Sequence, residues 1–164
     1  MGNDGLGKEA ENQIKRWLDR PEDGYSFDRL FDQMNGFYGS KNICDFTCYR
    51  HPYYYYIESK ATWENRFDFS MISDNQHDKL LEKSKIPGVF CLIIVLFASY
   101  KRAFVFRIED IDALMQGGVK SLNIKKIDKW SSILNYKEIK TIPNSRRKHL
   151  DYQGELEDYI PQWT

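Results

Sequence analysis

Blocks of apolar and polar residues along this chain mark out its elements. From Lys8 to Arg20, Ala10, Ile14, Trp17 and Leu18 recur at helical spacing, and Pro21 stops the run. At about 100° per residue, Glu11, Ile14 and Leu18 share one stripe while Glu9 points away. A carboxylate on that stripe needs a partner, unless it sits at the margin and reaches solvent. Tyr25 to Phe31 reads as a short strand, followed by turn markers at Asp32, Asn35, Gly36, Gly39 and Ser40. Ile43 to Tyr49 and Tyr53 to Ser59 are rich in strand formers, and Arg50-His51-Pro52 between them predicts a hairpin. Ser73 caps a helix over Asp74 to Lys85 that Pro87-Gly88 ends. In that helix Gln76 follows Ile72 and precedes Leu80 at i, i+4 spacing, so it turns inward. Val89 to Phe97 is continuously apolar and reads as a fully buried strand. Arg102 to Ile108 alternates as another strand, and Glu109 to Met115 is a short helix closed by Gly117-Gly118. Beyond that point the periodicity fades. The order predicts an α/β domain, a central mixed sheet flanked by helices.

The hairpin carries the chemistry. A turn centred between His51 and Pro52 sets Asp45 opposite Glu58, with Cβ atoms about 5 Å apart. Lys60, two residues on, projects from the same face as Glu58. Opposed carboxylates repel each other unless a cation lies between them. An exposed charge cluster is the alternative, and it fits poorly with neighbours as apolar as Ile43, Phe46 and Ile57. Two carboxylates can hold a divalent cation against a DNA phosphate. A lysine beside them can orient the attacking water and offset developing charge.

Composition narrows the picture without settling it. The 164 residues are 41% hydrophobic and 15% aromatic, which suits one folded domain. Net charge is zero, which argues against a nucleic-acid binder driven by overall charge. Residues 119–149, however, hold nine Lys/Arg against two Asp/Glu, including Lys125, Lys126, Arg146, Arg147 and Lys148. This is either a solvated basic face or a phosphate-tracking surface. The longest apolar run, Val89 to Ala98, is too short to span a bilayer. The first residues lack a secretory pattern and carry little of a myristoylation motif beyond Met1-Gly2. Cys44, Cys48 and Cys91 read as reduced core thiols. On a strand Cys44 and Cys48 would be about 13 Å apart, too far to share a zinc ion with His51. The run Tyr53 to Tyr56 puts two rings on each sheet face, where packing accounts for them. His51, His77 and His149 are not spaced as ligands.

Several segments together resemble a known family. Gly7-Lys8 through Glu11, Arg29-Leu30-Phe31-Asp32, Asn42-Ile43-Cys44-Asp45-Phe46 and Glu58-Ser59-Lys60 occur in order. Phe69-Ser70, Ile72, Asn75-Gln76 and Gly88-Val89 follow. This set resembles the PD-(D/E)xK nuclease superfamily, and within it the RecU-like Holliday junction resolvases of Gram-positive bacteria and their phages. It covers Gly7 to Leu114, about two-thirds of the chain. The family usually has an aromatic before the glutamate where this chain has Glu9-Ala10-Glu11, and helical phase favours Glu11.

The resemblance implies a restriction-endonuclease-like fold and Mg²⁺-dependent hydrolysis of DNA phosphodiesters, with Mn²⁺ as a substitute. It implies Asp45, Glu58 and the Ser59 carbonyl as metal ligands, and Lys60 as the residue that positions water. Gln76 would orient the site, and Glu11 would support a metal-bound water or a second ion. Arg29 and Asn42 would contact DNA, as charge suggests for Lys125, Lys126, Arg146 and Arg147. The implied substrate is a four-way junction, nicked by a homodimer in the cytoplasm of a bacterial host, with no membrane partner. Residues 1–118 would form the nuclease core and 119–164 a C-terminal extension, basic then acidic. The segment Gln33 to Lys41, with Phe37 and Tyr38, is the candidate for a stalk entering the junction. Two other readings stay open: a nuclease acting on other DNA structures, and a non-catalytic DNA-binding module on the same scaffold.

Overall fold

The computed structural model describes residues 3–31, 42–130, 136–144 and 149–160. The proposed stalk and the pair Arg146 and Arg147 lie outside these residues.

The first helix, α1, spans Asn3–Leu18. It begins before Lys8 because Leu6 is buried and gives an earlier turn a packing face. It ends before Arg20 because a residue preceding proline is disfavoured in helical geometry. Strand β1 (Ser26–Arg29) pairs antiparallel with β2 (Phe46–Arg50), and β2 with β3 (Tyr53–Thr62). The β2–β3 register is the one the hairpin turn dictates, running from Arg50 opposite Tyr53 to Phe46 opposite Ile57. The ladder stops there. Asp45 lies just past it, and its N–H donates to Ile57 O at 3.1 Å.

Strand β4 (Arg66–Asp68) precedes helix α2 (Asp74–Ser84). Ser73 caps α2 in a capping box with Gln76, as that spacing leads one to expect. The helix crosses over to β5 (Val89–Phe97), which runs parallel to β3 through nine paired residues, from Tyr54 opposite Val89 to Thr62 opposite Phe97. Eight consecutive residues of β5 are buried because both faces of the sheet are covered. Strand β6 (Arg102–Arg107) returns antiparallel and leads into α3 (Ile108–Gln116).

The remaining strands are short: β7 (Ser121–Asn123), β8 (Lys137–Glu138), β9 (Thr141–Asn144) and β10 (His149–Tyr152). The main sheet has the order β1-β2-β3-β5-β6-β8. This is a central mixed sheet flanked by helices, as the order of elements predicts.

The described residues after Gly118 build into both layers. The β4–β7 pair and a 3₁₀ segment at Ile124–Trp130 join α2 and α3 over one face. The β9–β10 hairpin and a 3₁₀ turn at Leu156–Tyr159 pack with α1 on the other. There Trp17 donates through Nε1 to Gly154 O at 2.9 Å. The Tyr25 hydroxyl donates to Glu155 and accepts from the Leu156 N–H. Arg20 and Arg50 flank the Tyr25 ring and both pair with Glu155, closing this corner.

The four consecutive tyrosines split as strand alternation requires. Tyr55 is fully buried and stacks on Phe90, whereas Tyr54 and Tyr56 meet edge-on across the opposite face. All three cysteines are buried and reduced.

Candidate active site

Strand alternation decides which groups share the site. Tyr56, Glu58 and Lys60 lie on the β3 face that α2 covers, so the carboxylate and ammonium emerge side by side. Lys60 Nζ lies 3.4 Å from Glu58 Oε1. The capping box fixes Gln76 in the first turn of α2, and Gln76 Nε2 donates to Glu58 Oε2 at 2.9 Å. Both Glu58 oxygens are therefore engaged, although the residue is only 3% exposed.

Asp45 approaches from the end of β2. Its Oδ2 accepts from the Ser59 N–H at 2.8 Å. This contact exists because β2 begins at Phe46 and leaves the next outward-facing N–H of β3 without a strand partner. In an extended strand the N–H and C=O of one residue face the same edge. The Ser59 carbonyl thus opens toward the side where Asp45 sits.

Burial first, and then the nearby Asp45 charge, push the Glu58 carboxyl up to about 8, against the opposing pull of Lys60. Burial chiefly pushes the adjacent Cys44 thiol up to about 12, so it is no nucleophile at neutral pH.

The far side of Asp45 is held by Arg29. Arg29 Nη1 lies 3.5 Å from Asp45 Oδ1 and donates to Asp45 O at 3.1 Å. It also donates to Leu30 O. Arg29 Nη2 pairs with Glu11 Oε2 at 2.9 Å. The guanidinium lies 5.0 Å from the Phe31 ring centroid and 5.4 Å from that of Phe46.

Glu11, Arg29, Asp45, Ser59, Glu58, Lys60 and Gln76 thus form one connected row. Arg29, expected from sequence to face DNA, is engaged by protein acceptors within it. The helical phase of Glu11 calls for a partner, and that clue leads to Arg29. Asn42 lines the same cleft, with Leu30, Ser70, Met71 and Ser73, around a volume of about 380 Å³. Phe31, at its rim, is 74% exposed; sequence reasoning misses it because one aromatic beside a turn has no periodic context.

Lys125 and Lys126 are exposed on the 3₁₀ segment whose Ile124 N–H donates to Asn65 O, on the same side of the sheet as Glu58 and Lys60. His77, next to Gln76, bridges to Asp112 of α3 at 2.9 Å and stabilises the α2–α3 contact.

The donor set suits a hard divalent cation, which prefers carboxylate and carbonyl oxygen. Among the described residues, no group of three or more His, Cys, Asp and Glu side chains gathers as a ligand cluster. Two carboxylates and a backbone carbonyl are what this chain offers. The buried, charge-disfavoured Glu58 beside Asp45 is the feature that a cation relieves.

Removing the Gln76 donor should loosen Glu58 without removing either carboxylate. For the metal nuclease that the sequence resemblance implies, Gln76→Ala is expected to slow single-turnover cleavage by roughly 10–100-fold. An effect below threefold would mean that the contact does not matter.

Comparison with known proteins places the chain in a family. The family model for recombination protein U matches residues 26–152. No curated protein matches the chain significantly. Among solved structures, the chain is similar to Archaeoglobus fulgidus Hjc, a Holliday junction resolvase from an archaeal hyperthermophile. Identity is 15% and the TM-score 0.46, over 63% of this chain and 78% of that one.

Proposed function

The chain belongs to the recombination protein U family, and on that premise we propose that it is a Holliday junction resolvase, a metal-dependent endodeoxyribonuclease that nicks four-way DNA. The observation that carries this reading is the buried Glu58 carboxyl, held between Lys60 and Gln76 beside Asp45.

Asp45, Glu58 and the Ser59 carbonyl are the residues that would hold Mg²⁺, or Mn²⁺ in its place. When bound, the ion supplies Lewis acidity at the phosphate oxygens. Lys60 orients the water that attacks phosphorus in line and offsets the charge gathering there. The bond from phosphorus to O3′ breaks, leaving a 5′-phosphate and a 3′-hydroxyl. Gln76 keeps Glu58 in place. Lys125 and Lys126 track phosphates on the same side of the sheet. Two symmetric nicks on opposing strands call for two sites related by a two-fold axis, so the working form is a homodimer. Among the described residues no helix is long and apolar enough to cross a membrane.

The test is cleavage of a labelled four-way junction beside a linear duplex of equal length, with Mg²⁺ and with EDTA. Paired symmetric nicks on the junction alone are expected, with none in EDTA. Asp45→Asn should reduce them by roughly a thousandfold or more, because a neutral amide is a poor ligand for a hard cation. Equal cutting of both substrates would retain the nuclease and remove the junction selectivity. Tight junction binding with no cutting by the wild type would overturn the enzymatic reading.

A further inference from the structure

The row Glu11–Arg29–Asp45 bears on how many metal ions the site takes. Hydrolases with two metal ions place them about 3.5–4 Å apart around shared oxygens, commonly those of a bridging carboxylate. Asp45 is the residue here with oxygens facing both ways. Its Oδ2 lies toward Ser59, on the Glu58 side. Its Oδ1 faces the Arg29 guanidinium at 3.5 Å, and the other end of that guanidinium holds Glu11 Oε2 at 2.9 Å.

We propose that Arg29 is the site's permanent second cation: it fills the place between Asp45 and Glu11 that a second metal ion would occupy, so each chain takes one divalent ion. This rests on the metal-nuclease reading above and specifies its site.

Three observations support it. First, the guanidinium is not a loose surface charge. It meets Glu11 Oε2, Asp45 Oδ1, Asp45 O and Leu30 O, and it lies against the Phe31 and Phe46 rings. Moving it aside would break four polar contacts at once. Second, a divalent ion ligated by both Asp45 Oδ1 and Glu11 Oε2 would sit at about 2.0–2.6 Å from oxygens that already face Arg29, against a like charge. Third, the planar guanidinium presents N–H donors at both ends, so one side chain reaches Glu11 Oε2 and Asp45 Oδ1 together.

Glu11 is then a positioning residue. It acts through Arg29, and Arg29 fixes Asp45 so that Oδ2 and the Ser59 edge face the single ion.

The experiment counts ions. Mn²⁺ alone is titrated into the full chain by calorimetry and by electron paramagnetic resonance, with no DNA and no turnover. The wild type is expected to bind one Mn²⁺ per chain. Glu11→Gln, which keeps an acceptor for Arg29 but removes the charge, should still bind one, with Kd within about threefold. Arg29→Met, which vacates the place and leaves both carboxylates, should bind two. Two ions in the wild type would overturn the proposal, as would a tenfold weaker Kd in Glu11→Gln. A count that stays at one in a folded Arg29→Met would also overturn it. If Arg29→Met fails to fold, the wild-type and Glu11→Gln counts still decide. Absence of any bound Mn²⁺ in the wild type would instead sink the metal-nuclease reading beneath it.

Discussion

Without divalent metal, Glu58→Gln should stabilise the folded chain, and by more at alkaline than at acidic pH. The wild-type carboxyl is raised from its ordinary 4.5 to about 8, chiefly by burial and then by the Asp45 charge. Below 4.5 the group is protonated folded or unfolded, and its burial carries no charge penalty. Between 4.5 and about 8 the unfolded chain releases the proton while the folded chain keeps it, so stability falls as pH rises. Above about 8 the folded carboxyl is ionised too, and the loss levels off. The whole interval corresponds to on the order of 5 kcal/mol. Glutamine reproduces the neutral side chain and escapes this loss. In urea unfolding with EDTA, the gap between variant and wild type should be about 3 kcal/mol wider at pH 8.5 than at pH 5.5. Taking the difference removes most of what the cysteines and tyrosines contribute, Cys44 excepted, whose thiol the Glu58 charge also pushes up. Adding Mg²⁺ should narrow the gap at pH 8.5, because an ion that binds only the folded wild type stabilises it alone. An equal gap at both pH values would show that Glu58 is not buried as a strained acid.

That strain is what makes the site legible in the sequence. A two-residue turn fixes register, and register puts Asp45, Glu58 and Lys60 together by counting alone. The structure keeps the register, but β2 begins one residue after the acid. Asp45 therefore meets the Ser59 N–H with its side chain. Periodicity cannot show where a ladder stops, because stopping depends on what packs against the last pair. Helical phase likewise places Glu11 at the core margin and Gln76 inward, and both have partners in the fold. The partner of Glu11 is hidden because Arg29 sits on a short edge strand whose pattern alternates weakly. The segment after Gly118 is unreadable for a related reason. Its strands are two to four residues long, and its buried residues, such as Leu122, Ile124 and Ile139, serve different layers. Such a stretch has contacts but no period of its own.

Lys60→Ala should reduce cleavage by roughly a thousandfold while leaving junction affinity within about threefold. The loss follows from position. Lys60 is anchored on β3, two residues from Glu58 on the same face, with its ammonium 3.4 Å from Glu58 Oε1. A rigid strand delivers that charge to the cleft without any rearrangement when the phosphate gathers negative charge. Removing one preorganised donor of this kind typically costs about 10²–10³ in rate, and the lost orientation of the water adds to it. Binding of the junction draws on many phosphate contacts, so one partly buried lysine contributes little to it. Lys60→Arg should recover little of the rate, because a planar fork cannot place its charge where a compact ammonium sits. Metal affinity supplies the control. Lys60 competes with a cation for Glu58 Oε1, so Lys60→Ala should bind Mn²⁺ at least as tightly as the wild type. A variant that kept a tenth or more of the single-turnover rate, with Mn²⁺ bound, would exclude Lys60 from the chemistry. A variant that lost rate and Mn²⁺ together would assign it to building the metal site instead.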